Sequence, residues 1–204
     1  MKKYFLMTIN DLIPRTVISP QWMICSALAL LIIPIKWYLS FFIAAAIHEL
    51  GHLVMLKILR IPIEKIEIDI HGAVIKTTIM QPWQEMLCVS AGPIAGAATM
   101  IAVPVYPALA ICALIQTVYN LLPFFPSDGS RILRCILEML LPERTALLVL
   151  KVMVLITYIA VFGCLVHLLR FPKLGILPYI CAVFLVINIA SRKTPCKEAC
   201  NNVQ

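Results

Sequence analysis

The sequence predicts an all-α polytopic membrane protein with about six transmembrane helices and a small β-hairpin after the second of them. Three observations carry that reading. Of 204 residues, 62% are hydrophobic and 13% charged, and the mean hydropathy is +0.96. A soluble domain carries about 45–50% apolar and about 25% charged residues. Long apolar stretches recur at the length of a bilayer span, and 14 of the 17 Lys and Arg gather on one side of the resulting topology. This composition excludes an ordinary soluble domain and a disordered chain.

Five stretches read as membrane segments: 17–39, 41–59, 86–125, 146–169 and 174–190. A helical span needs about 20 residues, so the third stretch is long enough to cross twice. Its reversal is expected near Pro104 and Pro107. Thr8, Asn10, Asp11 and Pro14 interrupt the first apolar run, which argues against a cleaved signal peptide. With the N-terminus in the cytosol, only Lys36, Arg170 and Lys173 of the 17 Lys and Arg lie on the far side. That asymmetry places both termini in the cytosol. The net charge of +7 then reports loops that face an anionic leaflet. No basic stripe is interleaved with aromatic residues, so nucleic acid is not an expected partner. No polar stretch is long enough to fold alone, so residues 1–204 are expected to form a single membrane-embedded domain.

Six of the eight cysteines, Cys25, Cys88, Cys112, Cys135, Cys164 and Cys181, lie in or beside apolar segments and are expected to behave as small hydrophobes. Cys196 and Cys200, in the C-terminal tail, face a reducing compartment, where a structural disulfide is not expected. Two thiols alone make an incomplete zinc site.

The second span carries polar residues that lipid does not tolerate without a reason. It contains His48-Glu49-Leu50-Gly51-His52. A charge at mid-bilayer costs at least about 2.5 kcal/mol, and such residues are functional candidates by default. His48 and His52 stand at i and i+4, one above the other on a single helix face, so both rings can reach one ion. Glu49 sits beside them as a general base. This is the H-E-x-x-H arrangement of two zinc ligands and a base. A hydrolytic zinc site takes three protein ligands, and Asp128 is the best further candidate. Pro123 and Pro126 break the chain just before it, and irregular backbone at membrane depth is tolerated where it is buried or lines a cavity. On spacing alone, Asp128 serves equally well as a ligand or as a helix cap ahead of residues 132–141. His167 reads as an interfacial residue near a span end.

Together, His48-Glu49-Leu50-Gly51-His52 and Asn120-x-x-Pro123 followed by Asp128-Gly129 resemble the site-2 protease family of intramembrane zinc metalloproteases. Within it the likeness is to the bacterial branch typified by the stage IV sporulation protease FB. The resemblance runs from about residue 44 to 133 and includes Ser90-Ala91-Gly92-Pro93, read as a turn at the start of the third span. It implies one Zn2+ per chain held by His48, His52 and Asp128, with Glu49 as the catalytic base toward an attacking water. Asn120 would position the substrate backbone or stabilise a developing oxyanion. Substrates would be membrane-associated proteins cut in regulated intramembrane proteolysis, with a pro-sigma factor of sporulation as one candidate, and a regulatory membrane partner or a homo-oligomer is compatible with it. Two positions depart from the family pattern: Ser130 stands where a second Gly is common, and Gly96 where Asn often follows the Gly-Pro pair. The PDZ and CBS domains of some relatives have no counterpart in 1–204. The alternative is a catalytically inactive membrane metal-binding or scaffold protein. A small transporter is weaker, since no second half repeats the intramembrane charges.

Residues 66–76 alternate apolar and polar around His71-Gly72, which predicts the β-hairpin. An exposed edge of it, with Ile68 as an edge position, is expected to hold an extended substrate by strand addition. Glu67, Asp69 and His71 read as its wet face rather than as ligands. Eight residues of helix, about 12 Å, separate His52 from Arg60, so the site is expected just beneath the cytosolic surface.

Overall fold

Each helix begins where the sequence supplies a partner for its free N–H groups. A computed structural model describes residues 15–69, 72–102, 104–124 and 127–168. Helix α1 (Pro20–Ile32) starts with Ser19 accepting a hydrogen bond from the Trp22 amide and with Pro20 in the first turn. Helix α2 (Ile35–Ile58) follows the short break at Ile33 and Pro34. It closes in a Schellman turn: the Ile61 amide donates to the Leu56 carbonyl and the Arg60 amide to that of Lys57. Arg60 accordingly takes a φ of 55°, a conformation usually left to glycine. Helix α3 (Pro82–Ala98) opens on a capping box between Gln81 and Gln84. A 3-10 turn (Thr99–Ala102) and Pro104 separate it from α4 (Pro107–Leu121). Helices α5 (Asp128–Leu140) and α6 (Glu143–Leu168) complete the described chain. It divides into two compact units, Met1–Val154 and Leu155–Gln204. The first holds α1 to α5 and the start of α6, and the described part of the second continues α6.

Three strands lie beside the helices in the order β1-β2-β3. They are β1 (Arg15–Ile18), β2 (Ile63–Asp69) and β3 (Gly72–Thr77). β2 and β3 form the expected antiparallel hairpin, with Ile68 opposite Ala73 and Ile66 opposite Ile75. β1 pairs parallel with β2, Ile18 lying opposite Ile68. Ile68 is therefore on the central strand and is not an edge position. The free edge of the hairpin belongs to β3.

Small residues pack the helices together and large ones face outward. Ala44, Ala108, Ala110, Ala113 and Cys112 are buried, while Leu31 and Ile101 are each 83% exposed. A soluble protein buries its large side chains, whereas helices in lipid associate through small ones that let backbones approach. Among the described residues, Ile35–Ile58 and Glu143–Cys164 are long and apolar enough to cross a membrane. α2, at 24 residues, is about 36 Å long, against a hydrocarbon core of about 30 Å.

The span boundaries differ from the sequence reading. Residues 17–39 do not form one span: β1, the 13-residue α1 and the start of α2 share them, because Pro34 ends the first helix. The stretch 86–125 reverses at Pro104 and Pro107 as expected, but its two helices have 17 and 15 residues, shorter than full spans. The described residues do not show six transmembrane helices. Ser90-Ala91-Gly92-Pro93 is no turn but lies inside α3, where the buried Gly92 and Pro93 face neighbouring helices. Cys88, Cys112 and Cys135 are buried, whereas Cys25 and Cys164 are exposed. His167 lies in the last turn of α6. His71, Cys181, Cys196, Cys200 and the stretch 174–190 lie outside the described residues.

Candidate metal centre

The site begins with helical periodicity and is completed by a broken connection. His48 and His52 project from successive turns of α2, with their Nε2 atoms 3.2 Å apart. α4 ends at Leu121, and the chain re-enters helix at Asp128. Ser127, not Asp128, caps α5: its hydroxyl accepts from the Ser130 amide. The capping role is thus filled, and Asp128 is free to turn inward. Its Oδ2 lies 3.0 Å from His48 Nε2 and 3.3 Å from His52 Nε2.

The donor set fits a divalent ion. His52 Nδ1 donates to the Cys88 carbonyl at 2.8 Å. A neutral ring so bonded presents its Nε2 lone pair to the site. Asn120 Nδ2 donates to His48 Nε2 at 3.2 Å, which gives that ring the same orientation. Two ring nitrogens and a carboxylate oxygen thus converge on one point, a group that could hold a metal ion. In tetrahedral zinc sites, with bonds of about 2.0–2.1 Å, ligand atoms stand about 3.3 Å apart. The three separations here are 3.0, 3.2 and 3.3 Å.

α3 makes this convergence possible by having no side chain at the point of contact. A Cβ on Gly92 would collide with the His52 ring and stand 2.9 Å from His48 Nε2. One on Gly51 would stand 2.5 Å from the Ala91 carbonyl oxygen. The two helices meet backbone to backbone, and the imidazoles occupy the space this leaves. Glu49 lies on the same turn, half-buried, and its carboxylate accepts a hydrogen bond from the backbone N–H of Ala73 on β3. All five sequence-predicted site residues, His48, Glu49, His52, Asn120 and Asp128, therefore come from α2, α4 and α5 to one place. Glu67 does not join them, being paired with Lys65 at 2.7 Å and Lys76 at 3.1 Å.

Sequence reasoning missed the Cys88 carbonyl and the Ala73 amide, because any residue type supplies a backbone group. It also missed a clasp that holds Asp128 in place. The Glu85 carboxylate on α3 accepts from Arg134 Nη2 at 2.6 Å and from Arg131 at 3.0 and 3.2 Å. Glu85 lies one turn before Cys88, and the two arginines follow Asp128 along α5, so the clasp ties one face of the site to another. Burial works against the charge on Arg134, but Glu85 outweighs it and holds the guanidinium above its ordinary range. The Cys135 thiol beside them is pushed up to about 11 by burial and so stays protonated and unreactive near neutral pH.

Fold and site define a class: a helical membrane protein in which two histidines of one helix meet an aspartate from a broken connection. No family model and no curated protein matches the chain. Among solved structures it is similar to the site-2 protease from Methanocaldococcus jannaschii, at 22% identity and a TM-score of 0.58. The match covers 85% of this chain and 87% of that one. The likeness establishes the fold, which is that of a site-2 protease. It lends no support to the sporulation branch or to a pro-sigma substrate.

The clasp can be tested without touching the metal site. Glu85 is 14% exposed while its arginines are about 40% exposed, so solvent screens part of the interaction. A charged hydrogen-bond set of this kind contributes about 2 kcal/mol. Glu85→Gln is expected to lower the thermal midpoint in detergent by roughly 4–8 °C. Glu138→Gln, whose carboxylate lies 3.7 Å from Arg134, is expected to change it far less.

Proposed function

We propose that the chain is an intramembrane zinc metalloendopeptidase of the site-2 type, hydrolysing peptide bonds of membrane-associated proteins. The observation that carries this reading is the meeting of His48, His52 and Asp128 at 3.0–3.3 Å, with Glu49 on the same helix turn as the first histidine. His48, His52 and Asp128 would hold the zinc. A zinc ion there supplies Lewis acidity, polarising a peptide carbonyl and making an attacking water more acidic.

The chain's own residues account for the rest of the chemistry. Glu49 takes a proton from the water as it attacks and passes it to the leaving amine. Asn120, whose amide nitrogen lies 3.2 Å from His48 Nε2, is placed to donate to the substrate carbonyl oxygen as negative charge develops there. The site opens toward the cytosolic surface, and both termini lie on that side. The protein acts within the bilayer as a multi-pass enzyme.

A transmembrane helix hides its scissile bond, so the substrate must be held extended. β3 supplies the edge. The Ala73 N–H donates to Glu49, away from β2, which makes Ala73 and Ile68 a non-hydrogen-bonded pair. By the alternation of antiparallel ladders, the Ile75 N–H also points outward. A substrate strand added along this edge would lie next to Glu49.

Two experiments follow. Glu49→Gln is expected to keep the fold and about one zinc per chain while losing cleavage of a membrane substrate by at least about 100-fold. Full activity in that variant would refute the reading. A wild-type protein that binds zinc but never cuts would favour the non-catalytic metal-binding or scaffold alternative. Ile75→Pro removes one outward N–H without breaking a β2–β3 bond. It is expected to slow cleavage severely with zinc retained, and unchanged cleavage would remove the strand from substrate binding.

A further inference from the structure

His52 has its outer nitrogen held by the Cys88 carbonyl, but His48 has no such partner. His48 is 4% exposed, and its Nδ1 meets no hydrogen-bonding atom among the described residues. On α4, Thr117 is 5% exposed and its hydroxyl is likewise without a partner. Threonine inside a helix ordinarily returns its hydroxyl to a carbonyl one turn back. Thr117 does not, and its hydroxyl points at Gly96 on α3. A Cβ built at Gly96 would stand 2.5 Å from Thr117 Oγ1 and 3.7 Å from His48 Nδ1. Two buried, unsatisfied polar atoms therefore border the same notch, and the notch exists because residue 96 lacks a side chain.

We propose that Thr117 is a positioning residue for His48, linked to its Nδ1 through one water seated in the notch at Gly96. The inference rests on the metal reading of the site given above. Asn120 donates to His48 Nε2, so in the neutral ring the proton sits on Nδ1 and needs an acceptor. A water between Nδ1 and the Thr117 hydroxyl accepts that proton's hydrogen bond and donates one onward to Oγ1. It satisfies both buried groups and fixes the ring with its Nε2 lone pair facing Asp128. Outer partners of this kind set the tautomer and orientation of a metal-ligating histidine. A water with two polar partners meets the minimum that a buried water requires. α4 then contributes to the site twice on one helix face: Asn120 touches Nε2 of His48, and Thr117, one turn earlier, serves its Nδ1.

The test measures zinc affinity by chelator competition on the full chain in detergent, together with the thermal midpoint of the metal-free protein. Thr117→Val keeps the shape and removes the hydroxyl. It is expected to weaken zinc binding about 10-fold or more, the range found for outer partners of metal ligands. Thr117→Ser, which keeps the hydroxyl, is expected to restore affinity to within about 2-fold of wild type. If Thr117→Val lowers the metal-free midpoint but leaves zinc affinity unchanged, the residue only packs and the proposal falls. If Thr117→Ser loses zinc as Thr117→Val does, the hydroxyl is not the cause and the proposal falls. A wild-type chain that folds but binds no zinc overturns the metal reading itself, and the inference with it. Zinc bound by wild type and by Thr117→Val alike overturns the inference alone.

Discussion

The close approach of α2 and α3 is the constraint on which the site depends. Two imidazoles on one helix occupy a broad patch, and a neighbouring helix with side chains at that height would push them aside or stand too far away to cover them. Gly92 removes the obstacle from α3, and Gly51 lets α2 come near the Ala91 carbonyl. The same approach brings the Cys88 carbonyl to His52 Nδ1. A single geometric fact therefore places the His52 ring, fixes its tautomer and shields both rings. In lipid, where large apolar side chains gain nothing by leaving one apolar environment for another, contacts between small residues carry this packing.

Asp128 reaches the histidines by a different route. It comes from the break between α4 and α5, outside α2. Pro123 follows the end of α4, Ser127 caps α5, and Gly129 lets the start of α5 press against the backbone at Leu121. Glu85 then ties α5 to α3 through Arg131 and Arg134. Asp128 is anchored between these two ties. An irregular segment can deliver a side chain with fixed geometry because helices on both sides hold its ends.

The site was more legible in the sequence than the fold around it. His48, Glu49 and His52 follow from a spacing that a helix places on one face, whatever else surrounds it. For Asp128 the sequence leaves ligand and cap both open, and the cap in the structure is Ser127. The spans were read less well, because hydropathy does not register a short break such as Ile33-Pro34 and does not separate a four-residue strand from the start of a helix. Ser90-Ala91-Gly92-Pro93 has the composition of a turn, yet its Gly and Pro serve helix packing. Local alternation does not reveal that Ile68 is central, because its other neighbour, β1, lies some fifty residues away in sequence and pairs in parallel. Backbone donors and acceptors such as Ala73 and Cys88 leave no trace in residue type.

The most direct test of the account is the zinc content of detergent-purified protein by elemental analysis, wild type beside Asp128→Ala. A site built from two residues of α2 and one at the start of α5 predicts about one zinc per chain in wild type and clearly less in the variant, with helical content unchanged. Folded wild-type protein without zinc, or an Asp128→Ala variant that holds zinc as firmly as wild type, would contradict it.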